Sequence, residues 1–289
     1  MITSVADFTL GHGYLRTTWP LIFVSTILQI FIRKIVTSIM IEHVKKVPNV
    51  GKSHPPKAAD SFYYASYYTF TWFGSVAAIF SVGLNPFYMM FHPSALDWHE
   101  PEPKQFLFYS YLQIGHYLSC IYYILSRRDA RKKYSDAIMM LFHHFVTVSL
   151  IYTSVRWPIF ELGLIISLFL FDVSDIFMEF AKYFSYVKQN LLCHVFYAML
   201  VPSWGILRCV FFPLTSIRAT FMYYNGTSAP NRFLGVFESI LSVLSAIWWK
   251  MILSMVSKAL SGKLNKDVRS EDEVEDANAK TEETTSKKE

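Results

Sequence analysis

Cysteine is scarce in this chain of 289 residues: the three present are Cys120, Cys193 and Cys209. Their odd number and wide spacing argue against a disulfide framework or a cysteine metal site, and we expect small apolar side chains that pack in helices. Charged residues are also few, at 17%, whereas 53% of the residues are hydrophobic and 17% are aromatic. So few charges could not cover an ordinary soluble surface. The composition therefore indicates a membrane protein.

Seven segments are long and apolar enough to cross a membrane as helices. Each contains a window of about 20 mainly apolar residues, which as a helix covers roughly 30 Å of hydrocarbon. The segments lie near residues 18–41, 62–84, 106–126, 136–155, 159–180, 191–213 and 235–257. The chain is therefore predicted to be an all-α, polytopic membrane protein with about seven transmembrane helices.

The N-terminal region offers no cleavable signal peptide. Its first 16 residues include Asp7, His12 and Arg16 and have no continuous apolar run. The first predicted span is therefore expected to act as an uncleaved anchor. Arg33 and Lys34 interrupt that span and could snorkel only near one of its ends, so an interfacial helix is the alternative.

The distribution of lysine and arginine predicts the orientation of the chain. Basic residues are concentrated in the loop 42–60, in the loop 127–133 and after residue 258, all on one side of a seven-span arrangement. The opposite connections contain few of them. The positive-inside rule therefore places the C-terminus in the cytosol and the N-terminus on the lumenal side.

Two candidate modification sites lie outside the apolar segments. The tripeptide that begins at Asn225 matches the N-glycosylation pattern on the predicted lumenal side, although it lies close to the membrane. Residues 263–289 are polar and acidic, so a disordered cytosolic tail is expected there. Within that tail Ser270 precedes three acidic residues and could be modified by an acidophilic kinase.

Ionisable residues inside two predicted spans mark a candidate site. His143 and His144 lie about seven residues, or roughly 10 Å, from the cytosolic end of the fourth span. Asp172 and Asp175 lie at a similar depth in the fifth span, which runs in the opposite direction. Such groups are costly in hydrocarbon, so four of them at one level indicate a functional site in the cytosolic half of the membrane.

Three interpretations of these four residues are open from their chemical types alone. The histidines and aspartates could simply hydrogen-bond the two helices together. They could bind zinc or iron, although adjacent histidines diverge on a helix and the histidine boxes of membrane desaturases are absent. An imidazole oriented by a carboxylate could instead perform acid/base or nucleophilic chemistry, and this third interpretation is preferred.

The site residues belong to an extended motif. Its two halves are the His143-His144 pair and the pattern D-x-x-D-x-x-x-E-x-x-K from Asp172 to Lys182. They resemble the longevity-assurance motif of the TLC-domain family, in particular its acyl-CoA-dependent ceramide synthases. Further similarity lies in Arg127-Arg128, Ser203 to Arg208, Phe211-Phe212-Pro213 and Trp248-Trp249. The resemblance covers roughly residues 60–273, but Phe171 stands where many members have a histidine, and a homeobox-like insert is absent.

The resemblance implies a fold, a division of the chain and a reaction. The last six helices are expected to form a TLC-type barrel around an intramembrane pocket. The expected parts are residues 1–57, with the lumenal N-terminus, first helix and cytosolic loop, a TLC domain at 58–262, and the tail. The implied reaction transfers a fatty acyl group from acyl-CoA to the amino group of a sphingoid base, which gives (dihydro)ceramide and CoA in the endoplasmic reticulum membrane.

The resemblance also suggests roles for individual residues. His143 is expected to be the nucleophile or base, held by Asp172 or Asp175, with His144 as donor or second base. Both an acyl-imidazole intermediate and direct attack by the amine are compatible with these residues. Arg208 is expected to pair with a site carboxylate, with a polar substrate group or with a structural partner such as Glu179. The loop residues that could bind the phosphates of CoA are Arg127, Arg128, Arg131, Lys132 and Lys133.

The expected partners are acyl-CoA as co-substrate, a sphingoid base and the lipid bilayer, with no metal, separate cofactor or nucleic acid. A homodimer, a heterodimer or a small regulatory membrane subunit is compatible with the sequence. One alternative is a non-catalytic TLC-domain protein that binds or translocates lipid, a class that tends to lack the complete motif. The other is glycerolipid acylation, but the H-x-x-x-x-D signature of those enzymes does not occur at the site.

Overall fold

The computed structural model describes residues 18–48, 50–51, 53–96, 104–126, 134–222 and 229–261, and every regular element in these ranges is helical. The α-helices are α1 (Thr18–Val44), α2 (His54–Ser81), α3 (Pro86–Phe91), α4 (Lys104–Ser126), α5 (Tyr134–Arg156), α6 (Glu161–Tyr186), α7 (Asn190–Ser203), α8 (Arg218–Met222) and α9 (Ala229–Leu260). Short 3₁₀ turns at Pro93–Leu96 and Pro158–Phe160 follow α3 and precede α6. Helices thus occupy all seven predicted spans.

Four helical segments are long and apolar enough to cross a membrane: Trp19–Val44, Ala137–Arg156, Asn190–Met222 and Pro230–Lys258. The other three long helices, α2, α4 and α6, carry many buried polar and ionisable side chains, which lower their mean hydropathy. Large apolar side chains are exposed along the outer faces of the long helices, as expected of surfaces that contact lipid. The prediction of an all-α, polytopic membrane protein is confirmed.

The last six long helical segments form a closed ring. α2 packs along α6, α6 along α7, the chain after α7 against α9, α9 against α5, and α5 against α4. A smaller contact between α4 and α2 closes the ring, and α1 packs on the outside against both of these helices. The predicted barrel of six helices, with the first helix outside it, is therefore confirmed.

Proline and glycine determine both ends of α2. The helix begins at His54 rather than near residue 62, because Pro55 and Pro56 lie in its first turn, where a helix needs no amide donors. After Ser81 the chain turns at Gly83, whose φ of 76° is readily adopted only by glycine. The polar segment before residue 62 therefore extends the helix beyond the apolar span.

The helix that begins with α7 widens in its middle. Residues Trp204–Phe211 and Pro213–Ile217 are π-helical and lead into α8, so a single segment runs from Asn190 to Met222. Pro202 and Pro213 lack amide hydrogens and so cannot maintain regular α-helical hydrogen bonding here. π-helical turns frequently occur at functional sites, and this one holds Arg208 in the protein interior.

Arg33 on α1 is buried and does not snorkel to an end of its helix. Its guanidinium donates hydrogen bonds to Asp60 (3.0 Å) and to the Tyr64 hydroxyl (2.6 Å), and it lies 3.9 Å from the centre of the Tyr123 ring. Snorkelling is therefore wrong for this residue, because a partner on α2 neutralises its charge within the protein. The ion pair also fixes α1 on the outside of the ring.

Because α1 and α4 approach closely, an alanine in place of a glycine on α4 is expected to destabilise the protein. A Cβ atom at Gly115 on α4 would lie 2.8 Å from the backbone carbonyl carbon of Ser25 on α1. Alanine gains about 1 kcal/mol of helix propensity over glycine, but this overpacking costs roughly 1–3 kcal/mol. We expect Gly115→Ala to lower the thermal unfolding midpoint of the detergent-purified protein.

The matched control is Gly74→Ala on α2. A Cβ atom at Gly74 would meet only the Tyr109 ring, at an ordinary 3.5 Å. This variant should therefore keep or raise the unfolding midpoint. Equal midpoints for the two variants would contradict the close contact between α1 and α4.

Candidate active site

The two histidines lie side by side on α5, and each contacts a different helix. Their ring centres are 5.4 Å apart. The half-buried His143 packs edge-on against Trp248 of α9, at 5.2 Å, whereas the buried His144 lies 5.6 Å from the ring of Tyr117 on α4. Adjacent positions on a helix point in different directions, so the two imidazoles have different surroundings.

The first aspartate of the motif joins α6 to α2. The Oδ2 atom of Asp172 accepts a hydrogen bond of 2.8 Å from the hydroxyl of Thr71, and both side chains are buried. A buried carboxylate needs such donors, because leaving it without a partner costs several kcal/mol. This bond therefore fixes the position of α2 beside the site.

The second aspartate joins α6 to the π-helical segment. Asp175 Oδ2 lies 2.6 Å from Arg208, whose guanidinium also donates to the Ser174 hydroxyl (2.6 Å) and to the Phe171 carbonyl oxygen (2.9 Å). The guanidinium carbon lies 4.3 Å from the centre of the Phe171 ring and 4.0 Å from that of Trp204. Protein groups thus surround Arg208, which is 2% exposed.

The rest of the polar stripe on α6 lies closer to its C-terminal end. Glu179 forms an ion pair of 2.5 Å with Lys182, one turn further along the helix. The sequence left open whether Arg208 pairs with a site carboxylate, the substrate or Glu179. In the structure its partner is Asp175, and Glu179 belongs to the separate pair.

The two helices that carry His143 and His144 and Asp172 and Asp175 are neighbours in the structure. No carboxylate is seen to accept a hydrogen bond from Nδ1 of His143 among the described residues. That nitrogen has no hydrogen-bond partner in the part of the chain that the structure describes. The partners seen for the aspartates are Thr71 and Arg208. The expectation that an aspartate orients His143 therefore stays a prediction.

A cavity lies between α5, α6, the π-helical segment and α9, and Tyr117 of α4 also lines it. Its lining on α5 extends from His143 to Ser154, and Thr220 and Glu238 line it as well. The eleven residue steps along α5 from His143 to Ser154 correspond to roughly 16 Å. The walls between are mainly apolar and include Leu150, Ile151, Leu164, Leu168 and Leu241.

The cavity wall includes a buried polar pair. Glu238 on α9 is buried and accepts a hydrogen bond of 2.8 Å from the Thr220 hydroxyl on α8. This pair joins the last two long segments of the ring. The cavity wall is therefore mainly apolar but carries a carboxyl group and several hydroxyl groups.

Several predicted residues lie outside the described part of the chain. These are the proposed CoA-binding residues Arg127, Arg128, Arg131, Lys132 and Lys133, the glycosylation candidate Asn225 and the phosphorylation candidate Ser270. The described residues contain no group of three or more His, Cys, Asp or Glu side chains that could hold a metal ion.

Thr71 and Tyr117 are neighbours of the site that sequence reasoning missed. A signal for Thr71 was available: Tyr63, Tyr67, Thr71 and Ser75 recur every four residues on α2, and all four are buried. Such a stripe of polar and aromatic side chains indicates the face of a helix that points into the protein. Tyr117 has no such signal, because tyrosines are common throughout this chain.

Comparison with known proteins places this arrangement in a family. Residues 57–254 match the profile of the TLC domain found in TRAM, LAG1 and CLN8 proteins. The chain belongs to the TLC-domain family. This match includes all four candidate catalytic residues and most of every helix of the ring.

Curated relatives of this TLC-domain protein include plant and animal sequences. Ceramide synthase LOH2 of Arabidopsis thaliana is 33% identical over 190 residues, which cover 62% of this chain and 63% of that protein. ASC1-like protein 3 of Oryza sativa subsp. japonica is 30% identical over 229 residues, or 73% and 78% of the two chains. Ceramide synthase 3 of Homo sapiens is 29% identical over 174 residues, or 59% and 44%. The match to LOH2 thus spans less than two thirds of that protein.

The buried Arg208–Asp175 ion pair predicts that replacing one partner lowers the free energy of unfolding much more than replacing both. Arg208→Met should destabilise the protein by about 3–5 kcal/mol, because it leaves the Asp175 carboxylate buried without its partner. Replacing both residues, as Arg208→Met with Asp175→Leu, should restore much of that loss. The measurement is equilibrium unfolding in detergent for the two single variants and the double variant.

The exposed Lys45–Glu42 pair near the end of α1 provides the control. Glu42→Gln removes a charge pair of similar length, 2.6 Å, but in solvent, so the stability should hardly change. If Arg208→Met were as mild as Glu42→Gln, Arg208 and Asp175 would not be a buried pair.

Proposed function

We propose that this protein is a ceramide synthase, which transfers a fatty acyl group from acyl-CoA to the amino group of a sphingoid base. The observation that carries the proposal is the position of His143, in the wall of a mainly apolar cavity within the TLC-domain ring. The names of several curated relatives support the same activity.

The cavity suits a fatty acyl tail. Its walls are mainly apolar, and its length from His143 to Ser154 is roughly 16 Å. An extended peptide advances about 3.3–3.6 Å per residue, which contains three backbone bonds. An extended hydrocarbon chain therefore advances roughly 1.2 Å per bond. About 13 carbon–carbon bonds fit along the distance from His143 to Ser154. With the tail in the cavity, the thioester carbonyl would lie beside His143.

The reaction needs a base and a donor at this carbonyl. The amine of a sphingoid base is mostly protonated at neutral pH, so it must lose a proton before it attacks. We assign this proton transfer to His143, with His144 as its neighbour. His143 could also attack first and carry the acyl group as an acyl-imidazole. A labelled acyl group that stays on the denatured protein in the absence of sphinganine would distinguish the covalent route from direct attack.

The charges around the site suit a cationic substrate. Arg208 neutralises Asp175, whereas Thr71 is the partner seen for Asp172. We assign Asp172 to the ammonium group of the sphingoid base, and the Asp175–Arg208 pair to positioning α6. The basic loop 127–133 joins the ends of α4 and α5, and we assign it to the CoA phosphates on the cytosolic side. The corresponding location is the endoplasmic reticulum membrane, with the N-terminus in the lumen.

We expect the protein to show ceramide synthase activity in isolated membranes. Microsomes from cells without their own ceramide synthases should form N-acylsphinganine when they contain this protein and receive sphinganine with a panel of acyl-CoAs. His143→Ala should reduce product formation by at least about 10²-fold, as expected for loss of an acid/base group. Asp172→Ala should also reduce it strongly, because the ammonium group of the sphingoid base loses its carboxylate partner. Mass spectrometry of the lipid products measures both the activity and the acyl preference.

His194→Ala is the matched control, because His194 on α7 is exposed on the outside of the ring. It should retain the parent activity at equal abundance in the membrane. A well-expressed parent that forms no product with any acyl-CoA would contradict the proposal and favour a non-catalytic lipid-binding protein. Full activity in His143→Ala would contradict the assigned site.

The carboxyl group in the cavity wall predicts a change in acyl preference. Glu238→Ala removes this carboxyl group and enlarges the cavity, so the products should shift towards acyl chains longer by roughly two or three carbons. Glu238→Gln keeps the size of the side chain and should keep the parent distribution. The test is competition among saturated acyl-CoAs of different lengths, and identical distributions for both variants would show that Glu238 does not limit the chain.

A further inference from the structure

Tyr117 is a buried side chain in the wall of the cavity. It lies on α4, is 6% exposed and lines the cavity together with His143. Its ring centre is 5.6 Å from that of His144, on the next helix of the ring. The phenol is therefore close to the two histidines, yet the roles assigned above do not use it.

The other hydroxyl groups that line the cavity already have protein partners. Thr147 donates to the carbonyl oxygen of His143 (2.9 Å), Ser154 to that of Leu150 (3.0 Å) and Thr220 to Glu238 (2.8 Å). Ser167 and Ser216 are hydrogen-bonded to each other at 2.7 Å. Among the described residues, Tyr117 is the lining hydroxyl for which no such protein partner is seen.

The stronger donors near the site are also occupied. The Arg208 guanidinium donates from Nε to the Ser174 hydroxyl and from Nη2 to the Phe171 carbonyl oxygen, and Nη2 also pairs with Asp175. Its carbon lies 4.3 and 4.0 Å from the centres of the Phe171 and Trp204 rings. The Thr71 hydroxyl donates to Asp172. Neither group can turn towards a substrate without leaving a buried acceptor unsatisfied, which is unfavourable.

We propose that the Tyr117 hydroxyl donates a hydrogen bond to the thioester carbonyl oxygen of the acyl-CoA in the transition state. This inference rests on the proposed function, because it assumes that the acyl tail occupies the cavity. A carbonyl beside His143 is then also near Tyr117, because both residues line the cavity and their ring centres lie 5.4 and 5.6 Å from that of His144. Tyr117 is thus a catalytic residue that contacts a reacting atom.

The step that Tyr117 assists conserves atoms and charge. The nucleophile forms a bond to the carbonyl carbon, and the π electron pair moves onto the oxygen, where the phenol O–H donates to the new negative charge. When the carbonyl re-forms, the carbon–sulfur bond breaks and CoA leaves as a thiolate. The proton lost by the amine balances this thiolate as CoA–SH. Tyr117 keeps its own proton throughout.

A phenol suits this role in apolar surroundings. Tyrosine is ordinarily neutral near pH 7, so placing it in the membrane interior introduces no charge. A donor already held in place strengthens as the oxygen becomes negative, and the low local dielectric increases the effect. The ground-state carbonyl gains less, so the hydrogen bond accelerates the reaction more than it tightens substrate binding.

The test is Tyr117→Phe, which removes one oxygen atom and keeps the ring. We expect kcat for N-acylsphinganine formation to fall about 10²–10³-fold, as for loss of other oxyanion donors. The KM for acyl-CoA and the binding of a non-cleavable thioether analogue of acyl-CoA should stay near the parent values. Tyr63→Phe is the matched control, since Tyr63 is also buried but donates to Gln29 and is not among the cavity-lining residues.

Fluorinated tyrosines at position 117 separate a chemical role from a structural one. They preserve the ring and its hydroxyl but change the acidity of that hydroxyl, so kcat should vary with phenol acidity while the unfolding midpoint stays constant. An unchanged kcat in Tyr117→Phe, or a raised KM alone, would overturn the inference. A parent without activity would instead overturn the proposed function, and the inference with it.

Discussion

The hydrogen-bonding needs of two buried aspartates on α6 determine much of the architecture. Asp175 forms an ion pair with Arg208 of the π-helical segment, and Asp172 accepts a hydrogen bond from Thr71 on α2. Lipid provides almost no hydrophobic force between helices, so close packing and polar contacts of this kind hold a membrane bundle together. The two carboxylates therefore fix α6 to its neighbours on both sides. The cavity forms next to the helix that they fix.

The π-helical segment allows Arg208 to form this ion pair inside the ring. Its wider turns hold Arg208 in the interior, where the centres of the Phe171 and Trp204 rings lie 4.3 and 4.0 Å from the guanidinium carbon. An arginine in the middle of a membrane helix is costly unless its charge and its donors are satisfied. Here a carboxylate, a hydroxyl and a carbonyl satisfy them. This arrangement leaves Arg208 as a structural support beside the histidines.

The cavity wall is mainly apolar, and the site residues His143 and Tyr117 are part of it. Aliphatic side chains form most of the wall, and the Glu238–Thr220 pair adds a polar group. A ligand with one reactive polar end and a long apolar tail matches this distribution better than a compact polar molecule does. His143 and Tyr117 each lie nine residues from the helix ends Tyr134 and Ser126, between which the basic segment 127–133 stands in the sequence.

The sequence alone determined the seven helical segments, the membrane setting and the two helices that carry His143, His144, Asp172 and Asp175. These features follow from local composition and from the regular rise of a helix, which need no knowledge of neighbours. Only the tertiary structure decided that Asp172 pairs with Thr71, that Asp175 rather than Glu179 takes Arg208, and that Arg33 is neutralised by Asp60.

The sequence does not reveal these side-chain pairs because hydrogen-bonding partners in a helical bundle are far apart in sequence. Thr71 and Asp172 are separated by 101 residues, and Arg208 bonds across 34 residues to Ser174. The way in which each helix is rotated against its neighbours depends on the packing of all of them at once, so no local pattern specifies it. The same packing brings Tyr117 and His143 to one cavity, a placement that the sequence of α4 does not reveal.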